Sequence, residues 1–282
     1  MFRSGKGALF PVRIRYPAKQ RHVKAGGQFP TSALVRTYVG LQCSFFISDA
    51  TVLPVYFALV DSSIVNREIK SVIRPLLQDA GLTQFTMRTG WRYAGEKIDV
   101  VNFQSFNSYL ANSVGCTTYS FCVRLGCSFD AIPRNERVKR KDEFLLPEEY
   151  ECHFRRRLQK TIRQPNLKRK DIWYVDPSGE NLKVVIEDAR KAILENGLPW
   201  FNRFTDLTEV LRTLQQDSES NEGTSGFGTK TSPSRHFMTG YVALSRGKTQ
   251  LASDHILKAL LSGCFKDLEP KMRMILEQIN KG

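Results

Sequence analysis

Apolar side chains recur every three or four residues in the stretch that begins at Asp61, which is the spacing of one face of an α-helix. The carboxylate of Asp61 is placed to cap the first turn, and Gly81 stands where a helix commonly ends. Pro75 falls inside the pattern and predicts a kink, because proline donates no backbone N–H. The sequence therefore predicts one kinked helix, whose buried face carries Ile64, Val65, Ile69, Val72, Ile73, Leu76, Leu77 and Ala80.

Three runs with the two-residue period of β-strands follow this helix. They cover residues 85–93, 99–109 and 119–129, with turn residues at Ala94-Gly95 and at 113–115. Consecutive strands joined by short turns lie antiparallel to one another. We therefore predict an antiparallel meander sheet over this part of the chain.

The following part of the chain mixes short strand patterns with helical ones. Residues 152–158 and 172–175 predict short strands, and residues 182–194 predict an amphipathic helix that ends at Gly197. A further short helix is predicted around residues 206–214. Together with the meander, these elements predict an α+β fold, in which the antiparallel sheet is packed by helices and followed by a C-terminal helical tail.

Composition divides the chain into four parts. Residues 1–60 are predicted to be a poorly ordered basic arm, and residues 61–216 the α+β domain. Residues 217–234 are rich in Ser, Gly, Thr and Glu, which predicts a linker. Residues 235–282 have the pattern of a helix pair, which we expect to pack on the domain or on a partner, because a solenoid needs about three repeats.

The basic arm allows three interpretations. Residues 1–48 contain no Asp or Glu, which fits a poorly ordered leader from a start upstream of the true one, a signal anchor, or a nucleic-acid-binding arm. Residues 38–60 are nearly long enough to span a membrane, but Asp49 and Pro54 oppose insertion. We therefore expect no membrane association and a cytoplasmic protein.

Charge and cysteine content narrow the class of protein. The net charge is +14, and residues 1–60 (8 basic, 1 acidic) and 136–173 (12 basic, 7 acidic) hold most of the excess. Such clustering is typical of contact with nucleic acid or acidic lipid, and also of solvated loops. The six cysteines form no CxxC pair, so the sequence predicts reduced thiols and no metal or cofactor.

The candidate functional residues lie on two of the predicted strands. Arg155 and Arg157 share one face of the strand 152–158, where two guanidinium groups can clamp a phosphate or carboxylate. His153 lies beside them and is a candidate general base, while Gln104 is a candidate ligand-binding amide on the strand 99–109. The alternative is structural: the arginines pair with nearby acids, and the histidine and the amide serve the fold. The acids available for pairing are Glu148, Glu149, Glu151 and Asp99.

The order of these motifs resembles the bacterial family known as domain of unknown function 4304. The resemblance covers roughly residues 63–206, and its pieces are the opening helix, the strand Val101 to Ser105, the run Cys152 to Leu158, the Trp173 strand and the tripeptide Pro199-Trp200-Phe201. It implies a compact α+β domain and supplies no catalytic or binding residues.

Two functions fit these features. The first is an uncharacterised binding or interaction protein, whose basic loops contact an acidic protein or a nucleic acid. The second is an enzyme that acts on nucleic acid or a phosphorylated substrate through Arg155, Arg157 and His153. The sequence contains no phosphate-binding P-loop, dinucleotide fingerprint, HExxH or GxSxG motif that would select the second.

Overall fold

The structure is a computed structural model that describes residues 61–134, 138–164, 169–216 and 223–281. The predicted basic arm, with its candidate membrane segment at 38–60, lies outside the described residues. The same holds for residues 135–137 and 165–168 and for residues 217–222, the first third of the predicted linker. Within the described ranges, no helix is long and apolar enough to cross a membrane.

The opening helical region is interrupted where Pro75 predicted a break. It consists of α1 (Ser62–Glu68), a π-helical turn (Ile69–Ile73) and α2 (Arg74–Asp79). Asp61 Oδ1 accepts the first-turn amide of Ser63 at 2.8 Å, as expected of an N-cap. A proline near the start of α2 has no N–H to donate to the preceding turn, and the wider π turn accommodates that loss.

The five-stranded sheet confirms the predicted antiparallel meander and the α+β class. Its order is β1-β2-β3-β4-β7, and every neighbouring pair is antiparallel. The strands are β1 (Gln84–Phe85), β2 (Thr89–Ala94), β3 (Lys97–Ser105), β4 (Phe121–Phe129) and β7 (Phe154–Arg157). Two short strands between β4 and β7 form a separate hairpin, β5 (Arg140–Lys141) with β6 (Phe144–Leu145).

The predicted strands are shorter in the structure than in the sequence pattern. The strand predicted over 85–93 is divided into β1 and β2, and the strand predicted over 152–158 covers only Phe154–Arg157. The strand predicted over 99–109 ends at Ser105, because Asn107 caps a helix, α3 (Ser108–Val114), through a 2.8 Å hydrogen bond from the Leu110 amide. The strand predicted over 172–175 is reduced to one isolated bridge between Trp173 and Phe121.

The helix predicted over 182–194 does not stop at Gly197. The chain continues from α4 (Leu182–Ala192) through a π-helical turn (Ile193–Gly197) into α5 (Leu198–Arg203). Gly197 has a helical backbone, and a Cβ there would stand 3.4 Å from Leu158 and 3.5 Å from Leu125. The glycine therefore serves close helix–sheet packing rather than helix termination.

Four more helices complete the described chain: α6 (Leu207–Gln215), α7 (Pro233–Ser245), α8 (Thr249–Leu261) and α9 (Glu269–Lys281). Helices α7 and α8 approach closely, since a Cβ on Gly240 would meet Ile256 Cγ1 at 2.6 Å. Buried residues of α7 to α9 belong to the same hydrophobic cluster as the sheet and α4. The C-terminal helices therefore pack on the α+β domain.

The two faces of the sheet are covered differently. One face carries Val101, Phe103, Phe121 and their neighbours into the main core beneath the helices. The other face has a smaller cluster of Trp91, Ile98, Val100 and Cys152, with Leu145 and Leu146 of the β5–β6 segment packed on it. This smaller cluster occupies only part of its face, and the adjoining part carries polar side chains.

Candidate functional site

Polar residues form a row across four strands, next to the smaller hydrophobic cluster. Thr89 of β2 pairs with Asn102 of β3, Asn102 with Arg124 of β4, and Arg124 with Arg157 of β7. Residues opposite one another in antiparallel strands project to the same face, so the row crosses the sheet on one side. Gln104, two residues after Asn102, projects to this side as well. We call the region of Asn102, Gln104, Arg124 and Arg157 the open face.

Three guanidinium groups surround a buried cysteine at this face. Cys122 pairs with Gln104 across the sheet, and burial followed by the charge of Asp171 raises the pKa of its thiol to about 11. The charges of Arg169, Arg124 and Arg157 act on the same thiol in the opposite direction. These three residues are the arginine cluster. The thiol itself is protonated at neutral pH and is not a nucleophile in this setting.

Two carboxylates partly balance the arginine cluster. Asp171 Oδ1 accepts a hydrogen bond from Arg169 Nε at 2.9 Å, and Asp171 Oδ2 lies 3.4 Å from Arg157 Nη1. Burial alone would raise the pKa of Asp171, but the hydrogen bond and charge of Arg169 hold it below its ordinary value. Glu149 Oε2 lies 3.5 Å from Arg124 Nη1. Three guanidinium groups thus share two carboxylates, and Arg124 Nε is buried with no hydrogen-bond partner among the described residues.

The loop that carries Arg169 is held in place by a lysine. Lys160 Nζ donates to the carbonyl oxygens of Arg169 and Ile172, each at 2.9 Å. The Lys160 amide also donates to the Lys170 carbonyl at 2.8 Å. These contacts fix the loop beside β7, so the third guanidinium of the cluster has a defined position.

Arg155 lies on the same side of the sheet as Arg157 but is covered. Its backbone N–H and C=O both pair with Ser225, at 2.7 Å each, and its Nε is buried with no hydrogen-bond partner among the described residues. Gly226 crosses above it with φ +109°, and a Cβ there would stand 2.5 Å from the His153 carbonyl. The structure therefore separates the two predicted arginines: Arg157 is exposed, whereas Arg155 is half-buried beneath residues 225–226.

His153 is part of the core rather than of the open face. Its ring is nearly parallel to that of Phe129, and its Nδ1 accepts the Phe129 amide at 2.9 Å. Burial, with a smaller contribution from the charge of Arg134, lowers the pKa of His153 to about 3. The imidazole is therefore neutral at physiological pH and holds the end of β4 through its acceptor nitrogen.

One of the acids predicted as a structural partner of Arg155 and Arg157 pairs with other cations. Asp99 is fully buried on the helix-covered face, where it lies 2.7 Å from Arg92 Nη2 and 3.0 Å from Lys97 Nζ. It is therefore engaged by residues other than Arg155 and Arg157. Across the described ranges, no three His, Cys, Asp or Glu residues converge as metal ligands.

Three residues that build the open face and its arginine cluster were not singled out in the sequence. Arg124 is the one charged residue in the otherwise apolar or small strand β4, and that interruption was a usable signal. Asp171 and Arg169 reach the face from a loop, so no strand period indicated them. Gln104, which was singled out, is exposed on the face and pairs with Cys122.

Comparison with known proteins identifies one family. Residues 73–203 match the profile of a domain of unknown function, DUF4304, which confirms the resemblance found in the sequence. Searches of curated proteins and of solved structures gave no significant match. The matched segment includes β3, β4, β7 and the whole arginine cluster, so the open face lies within the part of the chain that resembles this family.

Proposed function

We propose that this protein binds a nucleic-acid strand on the open face, with the arginine cluster contacting its phosphates. The observation that carries the proposal is the register of Arg124 and Arg157, which stand side by side on neighbouring strands with fewer carboxylates than guanidinium groups around them. The proposal is for a binding module, and His153, which is buried and neutral, supports that choice over acid–base chemistry.

The geometry suits a phosphate. Neighbouring strands lie about 4.8 Å apart, so the two guanidinium groups can reach one phosphate or two successive ones. A guanidinium presents a planar fork of donors that matches two phosphate oxygens. The side chains of Arg124 and Arg157 are 23% and 55% exposed, so a phosphate on the open face can contact both.

The rest of the face suits a nucleotide. Asn102 donates its Nδ2 to Thr89 Oγ1 at 2.9 Å, which leaves its carbonyl oxygen as an acceptor. Gln104 is exposed and offers both a donor and an acceptor. Amides of this kind read base edges and sugar hydroxyls. The net charge of +14 and the pI of about 9.6 also favour a polyanion.

The test compares two double variants with the same net charge. Arg124→Gln/Arg157→Gln removes the two registered guanidinium groups, whereas Arg190→Gln/Arg212→Gln removes two arginines that pair on helices α4 and α6. Fluorescence anisotropy with a labelled single-stranded RNA is measured from low to moderate salt. We expect the first variant to lose affinity and to reduce the slope of log K against log[salt] by about 1 to 1.5. The second should retain the wild-type slope.

Three outcomes would overturn the proposal. Equal losses in the two variants would assign binding to net charge rather than to the open face. Competition by polyglutamate as effective as that by unlabelled RNA would favour an acidic protein as the partner. Cleavage of the RNA by the wild type, abolished by Arg124→Gln/Arg157→Gln, would favour the enzymatic alternative.

A further inference from the structure

A concave site lies on the opposite side of the sheet from the open face. A cleft of about 310 Å³ opens where the β2–β3 turn meets the loop between α5 and α6 and the end of α7. This volume is at the lower end of the range for small-molecule sites. Its lining residues are Ala94, Gly95, Glu96, Lys97, Phe129, Phe204, Thr205, Asp206, Leu207 and Arg246.

The inner end of the cleft has an excess of positive charge. Lys97 lines it and is buried, with Nζ donating to the Phe201 carbonyl at 2.6 Å and lying 3.0 Å from Asp99. Asp99 is shared with Arg92, so the buried Lys97 and the partly buried Arg92 have one carboxylate between them. An ammonium group has three N–H donors, and these contacts use two. The buried residues therefore favour an anionic group at this end.

The outer end of the cleft has an excess of negative charge. Glu96 and Asp206 are exposed at the cleft mouth, with Arg246 as the single cation among the lining residues there. Arg246 Nη1 lies 3.9 Å from Asp206, a long ion pair between exposed groups. The mouth thus has two carboxylates and one cation, and this excess of negative charge favours a cationic group on a bound molecule.

Apolar surface connects the two ends. Phe129 and Phe204 are both buried and line the cleft, and Leu207 lines it from the first turn of α6. These side chains offer an apolar wall between the positive inner end and the negative mouth. A ligand that satisfies all three features has a carboxylate, an ammonium group and an apolar body.

We propose that this cleft binds a small zwitterion of the α-amino-acid class with an apolar side chain. Its carboxylate lies toward Lys97, its ammonium group toward Glu96 and Asp206, and its side chain against Phe129 and Phe204. The site is separate from the open face, because Lys97 and Asn102 project to opposite faces of β3. Failure of either proposal leaves the other standing.

The test uses two matched series of probes and isothermal titration calorimetry with the whole chain. Leucine is compared with 4-methylpentanoate, which lacks the ammonium group, and with 3-methylbutylamine, which lacks the carboxylate. Phenylalanine is compared in the same way with 3-phenylpropanoate and 2-phenylethylamine. We expect at least one amino acid to bind about tenfold or more tightly than either of its singly charged analogues.

Substitutions at the mouth of the cleft test whether the amino acid binds there. Glu96→Gln/Asp206→Asn removes both outer charges, and asparagine keeps the oxygen that caps α6 through the Thr208 amide. We expect this variant to bind the amino acid about tenfold more weakly and the carboxylate analogue no more weakly than the wild type does. The control Glu187→Gln/Asp254→Asn neutralises two acids outside the cleft lining and should bind all probes as the wild type does.

The absence of binding by both series at millimolar concentration would overturn the proposal, as would carboxylate analogues that bind as tightly as the amino acids. Amino-acid binding that is unchanged in Glu96→Gln/Asp206→Asn would place the ligand elsewhere and would overturn it equally.

Discussion

Charged residues cluster on both faces of the sheet, and the two clusters are built differently. On the helix-covered face, Arg92, Lys97 and Asp99 form a buried charge cluster in which the carboxylate lies 2.7 and 3.0 Å from its two cations. On the open face, Arg124 and Arg157 lie 3.5 and 3.4 Å from their carboxylates. Short contacts thus hold both cations of the buried charge cluster, whereas at the open face only Arg169, whose Nε lies 2.9 Å from Asp171, makes one.

This difference in geometry assigns the buried charge cluster to fold stability and the open face to ligand binding. In the buried charge cluster the cations also hold backbone: Lys97 donates to the Phe201 carbonyl, and Arg92 Nη1 donates to the Ala80 carbonyl at 3.1 Å. These contacts join β2 and β3 to α2 and α5. At the open face, Arg124 and Arg157 make longer contacts with their carboxylates and keep part of their side chains exposed. The first arrangement supports the fold, and the second leaves donors for a ligand.

The largest expected effect is on the buried charge cluster. Asp99→Asn keeps the shape of the side chain but leaves Lys97 and Arg92 without their shared anion. Breaking a buried ion pair by removing one partner costs about 3–5 kcal/mol. We expect the free energy of unfolding, measured by urea denaturation at neutral pH, to fall by that amount.

A matched control is Asp254→Asn, which alters an exposed acid on α8 that accepts a hydrogen bond from Gln250. Its free energy of unfolding should change by less than about 0.5 kcal/mol. If Asp99→Asn also changed stability this little, the buried charge cluster would contribute no more than an exposed side chain, and the contrast between the faces would be lost.

An intermediate effect is expected from His153, which lies where β7 approaches the end of β4. Burial lowers its pKa in the folded protein to about 3, while an unfolded histidine titrates near 6.5. The unfolded state therefore binds a proton that the folded state does not, and stability is lost as the pH falls from 6.5 toward 3. At pH 5 the loss from this residue should be about 2 kcal/mol relative to neutral pH.

His153→Asn isolates this contribution. The asparagine Oδ1 can accept the Phe129 amide in place of His153 Nδ1, and the variant has no proton to gain. Urea denaturation at pH 7.5 and pH 5 should show a smaller decrease in stability for the variant than for the wild type, by about 2 kcal/mol. Parallel decreases in both proteins would mean that His153 is exposed or protonated in the fold.

The sheet could be predicted from the sequence because its strands alternate and its turns are short. The same period placed Gln104 on the face opposite Val101 and Phe103. Helix ends were harder to predict. A glycine commonly ends a helix, but the small size of Gly197 instead allows close packing against Leu158. The role of that glycine depends on a tertiary contact, which cannot be read from the local sequence pattern.

The candidate site could be predicted only in part. Arg157 is on the open face, but Arg155 is covered by Ser225, a residue 70 positions away in the chain. Arg169 and Asp171 come from a loop, and their proximity to Arg124 depends on the order of strands in the sheet. Sequence patterns indicate the face on which a residue lies, whereas its partners depend on contacts that are distant along the chain.

The smallest expected effect on stability comes from the open face, and it sharpens the comparison most. Asp171→Asn removes the carboxylate shared by Arg157 and Arg169 but keeps an oxygen that can accept from Arg169. Because the side chains of Arg157 and Arg169 are 55% and 40% exposed, each pair with Asp171 should be worth less than about 1 kcal/mol. Urea denaturation of Asp171→Asn should therefore give a free energy of unfolding close to that of the wild type.

The same variant should bind RNA more tightly. Asp171→Asn releases Arg157 from its ion pair and makes the net charge of the open face more positive by one. We therefore expect a several-fold gain in affinity that diminishes as salt screens the charges. Fluorescence anisotropy in parallel with Asp254→Asn, which changes the net charge equally, separates a local from a global effect. Equal gains would assign the result to net charge. A large loss of stability without any gain in affinity would mean that Asp171 belongs to the fold, as Asp99 does.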